Sequence, residues 1–116
     1  MLIVRRIYDA LFPRNAHALE QVGEVLAEHF SDIKANDVAR LRDALRDPLG
    51  SRFRTIIFVA EEGSGRVRGC AVLLHVADLS ATYLDYVAVR RTEVGSGLGG
   101  ALYERVREES RLLGAR

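Results

Sequence analysis

Hydrophobic and polar positions divide the chain into seven segments with two distinct periods. Residues 2–9 (LIVRRIYD) are rich in β-branched and aromatic side chains and predict a strand ending ahead of Pro13. Leu19, Val22, Leu26 and Phe30 then recur at i, i+3, i+7 and i+11, the single apolar stripe of a helix with Asn15 as its N-cap. Gly23 inside that helix costs about 1 kcal/mol relative to Ala. After a polar joint at residues 31–35, Val38, Leu41 and Leu45 predict a shorter helix capped by Asn36. It stops at Asp47-Pro48, because proline disfavours helical geometry in the residue before it. The pattern then changes to strands at residues 55–60 (TIIFVA), 67–76 (VRGCAVLLHV) and 82–89 (TYLDYVAV). The first two are joined by a glycine-containing turn at residues 61–65, most simply an antiparallel hairpin. Leu98, Leu102, Val106 and Leu113 form the apolar face of a last helix that begins near Gly97 and stops at Gly114. The order β-α-α-β-β-β-α leaves no room for crossovers between the last three strands. It predicts an α+β fold with a mainly antiparallel sheet.

Composition narrows the class without naming a ligand. A chain of 116 residues fits one domain, residues 1–116, and 48% apolar content excludes intrinsic disorder. The formal net charge of +1 gives no reason to expect nucleic acid or an anionic membrane as partner. Cys70 is the single cysteine, which excludes an intrachain disulfide and a paired-cysteine metal site. No His and carboxylate set has metal-ligand spacing, so no metal is expected. Nothing at the N-terminus reads as a signal peptide, and no apolar run approaches the ~20 residues of a membrane span. The expected location is cytoplasmic.

The chemistry concentrates between Tyr83 and Leu102, YLDYVAVRRTEVGSGLGGAL. A strand runs into a loop bearing Gly95, Gly97, Gly99 and Gly100, and the loop opens a helix. Glycines leave backbone N–H groups free of side-chain obstruction, and the helix start adds unpaired donors and a positive dipole end. That combination suits a phosphate or pyrophosphate. Arg90 and Arg91, just ahead, add long-range attraction. The alternative is a glycine turn that merely lets strand and helix pack closely. Gly95, Gly97 and Gly100 formally spell GxGxxG, but residues 90–94 separate them from the strand and only 16 residues follow Gly100. A dinucleotide fold needs the glycines at the strand end and an acidic residue about 20 positions on. The absence of a Gly-Lys-Ser/Thr triplet excludes a P-loop.

Val87-Ala88-Val89, the connector Arg90-Arg91-Thr92-Glu93-Val94 and Gly95-Ser96-Gly97-Leu98-Gly99 resemble, in register, the central motif of the GNAT superfamily of N-acetyltransferases. The element order is similar to that family's first seven elements. The resemblance implies acetyl-CoA as co-substrate, its pyrophosphate on the backbone of Val94, Gly95, Ser96, Gly97, Leu98, Gly99 and Gly100. It implies backbone pairing of Val87 and Val89 with the pantetheine arm, and polarisation of the thioester carbonyl by a main-chain N–H near Val87. It further implies direct attack by an amine, a small molecule or peptide, with proximity supplying much of the rate. Two positions depart from the pattern. Val94 stands where the family usually has Arg or Gln, and Arg91 stands where it commonly has Pro. Each removes a familiar feature while leaving the backbone cradle intact.

Proton transfer is less legible. Some family members carry a glutamate base at the position of Tyr83, so Asp85, expected on the same strand face by the period of two, is the candidate base or amine-orienting anion. A carboxylate paired with a nearby arginine is the competing reading. Tyr83 and Tyr86 are either site-lining phenols or packing residues. Cys70 is expected buried and inert, His75 a core or strand-end histidine, and Ser96 a phosphate contact without a base to make it a nucleophile. The joint at residues 30–40, with Asp32 and Asp37, borders the acceptor pocket in the family.

The chain stops at Arg116, ahead of the strand, the tyrosine-bearing helix and the final strand pair of the family. The expectation is therefore either a part of a longer acetyltransferase, or a sheet whose exposed edge at residues 83–89 a second copy or another chain completes. A catalytically incomplete binding or interaction module, and a nucleotide-binding domain built on the same glycines, are the alternative functions.

Overall fold

The computed structural model describes residues 2–29, 43, 45, 53–76 and 81–112, with the side chains at 53, 81–83 and 85 outside that description. Strands β1 (Leu2–Ile7), β2 (Phe53–Glu62), β3 (Val67–Val76) and β4 (Ala81–Val89) form one antiparallel sheet in the order β1-β2-β3-β4. Helix α1 (Pro13–His29) covers one face, and α2 (Leu98–Leu112) covers the other. The α+β class, the strand order along the chain and the antiparallel pairing are as the sequence predicts. Asp43 and Leu45 are helical, but the predicted second helix otherwise lies outside the described residues, as do Phe30, Asp32, Asp37, Leu113 and Gly114.

The two-sided cover follows from β2 and β3. Ile57 and Val59 pack with Leu19, Val22, Val25 and Leu26 of α1, whereas Ile56, Phe58 and Ala60 pack toward Leu98, Leu102 and Val106 of α2. An unbroken apolar run such as TIIFVA is what a strand buried on both faces requires. At Gly69 a Cβ would lie 2.9 Å from Leu102 Cδ1, so the missing side chain lets α2 rest closely on β3.

Three local expectations change. Helix α1 begins at Pro13, whose lack of an N–H and fixed φ suit a first helical position, so Asn15 lies inside the helix and is not its N-cap. The Asp9 carboxylate instead accepts from the amides of Leu11 (2.9 Å) and Phe12 (3.1 Å). Those bonds, from Phe12 and then Leu11, hold its pKa below the ordinary carboxylate value. The Asn15 amide oxygen accepts from Arg5 Nη1 at 2.6 Å. Strand β1 accordingly ends at Ile7, two residues short of the predicted Asp9.

The third change touches the candidate site. Val72 pairs with Tyr86 and Leu73 pairs with Leu84, so the register skips Asp85, and β4 is bulged there. Tyr86, opposite Val72, packs on the α1 face, while Val87 and Val89 pack on the α2 face. The bulge interrupts the regular pairing along the strand that carries Tyr83 and Asp85, whose side chains lie outside the described residues.

Candidate functional site

Strand β4 is a sheet edge among the described residues, and its last residues lead into the glycine loop. The Arg90 amide donates inward to the Arg68 carbonyl at 2.8 Å. Antiparallel alternation then aims the N–H and C=O of Val89 and Val87 outward, away from β3. A single 3-10 turn, Arg91–Glu93, follows. Gly95 and Gly97 next adopt φ of +87° and +88°, a conformation that side chains disfavour, and α2 starts at Leu98.

Within this loop the amide of Val94 donates to the Arg91 carbonyl at 3.3 Å and that of Ser96 to the Glu93 carbonyl at 3.0 Å. The Leu98 amide meets the Ser96 hydroxyl at 3.3 Å. Among the described residues, the amides of Gly95, Gly97, Gly99 and Gly100 have no backbone acceptor. Nothing lies within 4 Å of a Cβ built on any of those four glycines. The space their missing side chains leave is open, with a helix N-terminus behind it. That is a cradle for an anion such as a phosphate. The Leu98 side chain itself is buried with Ala60 and Leu102, anchoring the first turn of α2.

A test follows from the open space. Glycine at a helical position costs stability relative to Ala, and a methyl group at Gly100 meets nothing within 4 Å among the described residues. Gly100→Ala is expected to stabilise the fold by a few tenths to about 1 kcal/mol in a denaturant titration. If a ligand occupies the cradle, the same methyl group weakens its binding. Stability and affinity then move in opposite directions.

The two arginines ahead of the loop have structural partners on α1 and β3. Arg90 donates to the Val67 carbonyl at 2.5 Å and to Gln21 and Glu24 at 3.2 Å each. Arg91 donates from Nε (3.1 Å) and Nη2 (2.6 Å) to the Glu28 carbonyl in the last turn of α1. Both guanidinium groups therefore fasten the end of β4 to α1. Gln21 completes the joint by accepting from the Val67 amide at 2.7 Å and donating to the Gly65 carbonyl at 2.8 Å. On the other side Arg68 pairs with Glu93 at 2.7 Å and with Glu62. The loop is held in place by these ion pairs and hydrogen bonds.

Sequence reasoning missed the α1 side of this arrangement. Gln21, Glu24, Glu28 and His29 form a polar stripe at helical spacing beside the apolar one, and that stripe was the available signal. His29 Nε2 donates to the Val89 carbonyl, one of the outward-facing groups of β4.

Of the other candidates, Tyr83 and Asp85 lie in β4 with their side chains outside the described residues. Tyr86 packs, partly buried, against the core beneath α1. Cys70 is fully buried, and burial pushes its thiol pKa up to about 12, which makes it inert as expected. His75 is a buried residue of β3. Among the described residues no group of three His, Cys, Asp or Glu side chains is placed to hold a metal ion, and no helix is long and apolar enough to cross a membrane.

A helix–sheet–helix sandwich whose edge strand feeds a glycine loop at a helix N-terminus defines the class, an α+β domain with an open backbone cradle. The model of the acetyltransferase (GNAT) family matches residues 14–116, and the chain belongs to that family. Solved structures carry the same fold. A GNAT-family acetyltransferase from Desulfovibrio desulfuricans is similar at a TM-score of 0.73 and 21% identity, covering 100% of this chain and 70% of that one. An IAA acetyltransferase from Bacillus cereus is similar at 0.61 and 20%, over 98% of this chain and 61% of that one. N-acetylglutamate synthase from Neisseria gonorrhoeae, solved with coenzyme A and N-acetyl-glutamate, is similar at 0.64 and 16%, over 99% of this chain and 24% of that one. A search of the curated proteins finds no match.

Proposed function

We propose that this chain binds acetyl-CoA and transfers the acetyl group to an amine. The observation that carries the reading is the set of four glycine amides without backbone acceptors at the start of α2, opening onto space that a Cβ would fill. They suit the pyrophosphate, and the coenzyme A complex of the Neisseria relative supports the same ligand class. Acetyl-CoA, when bound, supplies the activated acyl thioester.

The protein's part is binding, orientation and proton transfer. Gly95, Gly97, Gly99 and Gly100 hold phosphate through main-chain donors, with Ser96 offering a hydroxyl and Val94 and Leu98 framing the loop. The outward N–H and C=O of Val87 pair with an extended amide chain as a further strand would, and the Val89 edge continues that path. A main-chain N–H near Val87 polarises the reacting carbonyl. Asp85, at the bulge, orients the amine and takes its proton, and Tyr83 lines the acceptor side. No covalent relay through the protein is required. The one thiol is buried with a pKa of about 12, and Ser96 has no base beside it among the described residues.

Titrating the folded protein with acetyl-CoA while following thermal unfolding tests the reading. Ligand at 100 times its Kd stabilises the folded state by about 2.7 kcal/mol. The expected result is a rising melting temperature, competition by coenzyme A and none by NAD. An unchanged melting temperature at millimolar acetyl-CoA overturns it, and competition by NAD favours a dinucleotide site instead. A second reading rests on the β4 edge, where Leu84 is 44% exposed. On it the domain binds the coenzyme, and a second copy or further chain pairs along β4, completing the cleft.

A further inference from the structure

Val89 separates the two halves of the proposed ligand site. The loop donors begin at Gly95, while Val87 lies two residues back along the edge strand. An extended ligand reaching from one to the other runs past Val89. The carbonyl it would meet there already accepts a hydrogen bond from His29 Nε2. The donor comes from the last residue of α1, and that turn is held against the end of β4 by Arg91 on the Glu28 carbonyl (2.6 Å) and by Arg90 on Glu24 (3.2 Å). The ring belongs to an exposed residue, so turning it away leaves the core untouched. An imidazole at the edge also stands where an added strand, or a strand-like ligand, lies.

Resting on the coenzyme reading above, we infer that His29 is an affinity-setting residue of the site, a guard on the Val89 carbonyl that the ligand displaces. An amide N–H of the incoming chain takes the place of Nε2–H on the carbonyl, so the ligand exchanges one hydrogen bond for another. Val87, whose outward groups face no such side chain among the described residues, needs no displacement. His29 thus weakens coenzyme binding while covering part of an open sheet edge.

The test is calorimetric titration of the intact chain with coenzyme A itself, using wild type, His29→Ala and His29→Gln. Circular dichroism checks that each variant is folded. Removing one hydrogen bond that must be broken on binding is expected to tighten His29→Ala about two- to tenfold. His29→Gln, which keeps an N–H donor of similar reach, is expected to stay nearer to wild type. In the wild type, saturating coenzyme A is expected to shift the His29 ring resonances to those of a freely rotating histidine. Equal or weaker binding by His29→Ala, with wild type binding normally, overturns the guard and leaves the coenzyme reading standing. Absence of binding by all three folded proteins at millimolar coenzyme A overturns both.

Discussion

Gly97→Glu is expected to abolish the thermal shift that the proposed acetyl-CoA site predicts, the largest effect on ligand binding expected of any single substitution in the loop. Two causes act together. Gly97 sits at φ +88°, where a side chain costs about 1–3 kcal/mol, so the substituted loop is pulled away from its present path. The open space over the loop, with nothing among the described residues within 4 Å of the Cβ position, is then filled by a carboxylate facing the donors proposed for the phosphate. Gly97→Ala separates the two causes, since it carries the backbone strain without the charge and is expected to retain weak binding. Because nothing among the described residues lies within 4 Å of a Cβ at Gly97, both variants are expected to remain folded, with melting temperatures lower by about 3–15 °C. Full retention of the shift in Gly97→Glu would mean that the ligand site lies elsewhere.

The largest effect on stability is expected at Glu61. Its side chain is only 1% exposed, and it accepts from Arg5 Nε at 2.6 Å and from Arg14. The group ties β1, β2 and the first turn of α1 together. Burial pushes its pKa up, but the hydrogen bonds and charge of Arg5, then those of Arg14, outweigh burial, and the net shift is below the ordinary value of 4.5. The ionised carboxylate is therefore the form the fold favours. Its stabilisation is complete above about pH 4.5 and disappears as the pH falls through the lower folded-state value. Removing one partner of a buried pair costs about 3–5 kcal/mol, reduced here because Arg14 is 61% exposed. Glu61→Ala is expected to lose about 2–3 kcal/mol, a fall in melting temperature on the order of 10 °C. Glu61→Gln is expected to lose less, and to flatten the pH dependence of stability below pH 5. A pH profile for Glu61→Gln that overlays wild type would assign the acid sensitivity to other carboxylates, Asp9 foremost.

These two residues also show what kind of information each level carries. Gly97 was legible, because glycines at alternate positions between a strand and an apolar helical stripe leave few local conformations. The connector and loop were readable in register from their resemblance to the GNAT motif, and the family model matches residues 14–116. Glu61 was not legible. In sequence it is one of two acids beside a glycine turn, an ordinary exposed position. Burial follows only from Arg5 and Arg14, 56 and 47 residues away, arriving at the same place. Arg90 and Arg91 have a structural role that the sequence did not show. Their place beside a phosphate loop suggested attraction, but α1 lies alongside and engages both.

By itself the sequence determined the strands, the two described helices, the antiparallel sheet and the glycine cradle, because each rests on local periodicity and backbone freedom. Only the tertiary structure decided which groups around the cradle are free. The bulge at Asp85 breaks the period of two, and it takes a partner strand to define a bulge. The guanidinium groups are drawn to α1, and His29 is brought to Val89 from 60 residues away. Hydrogen bonds and ion pairs of that kind depend on which side chains the fold makes neighbours. No window along the chain contains both partners.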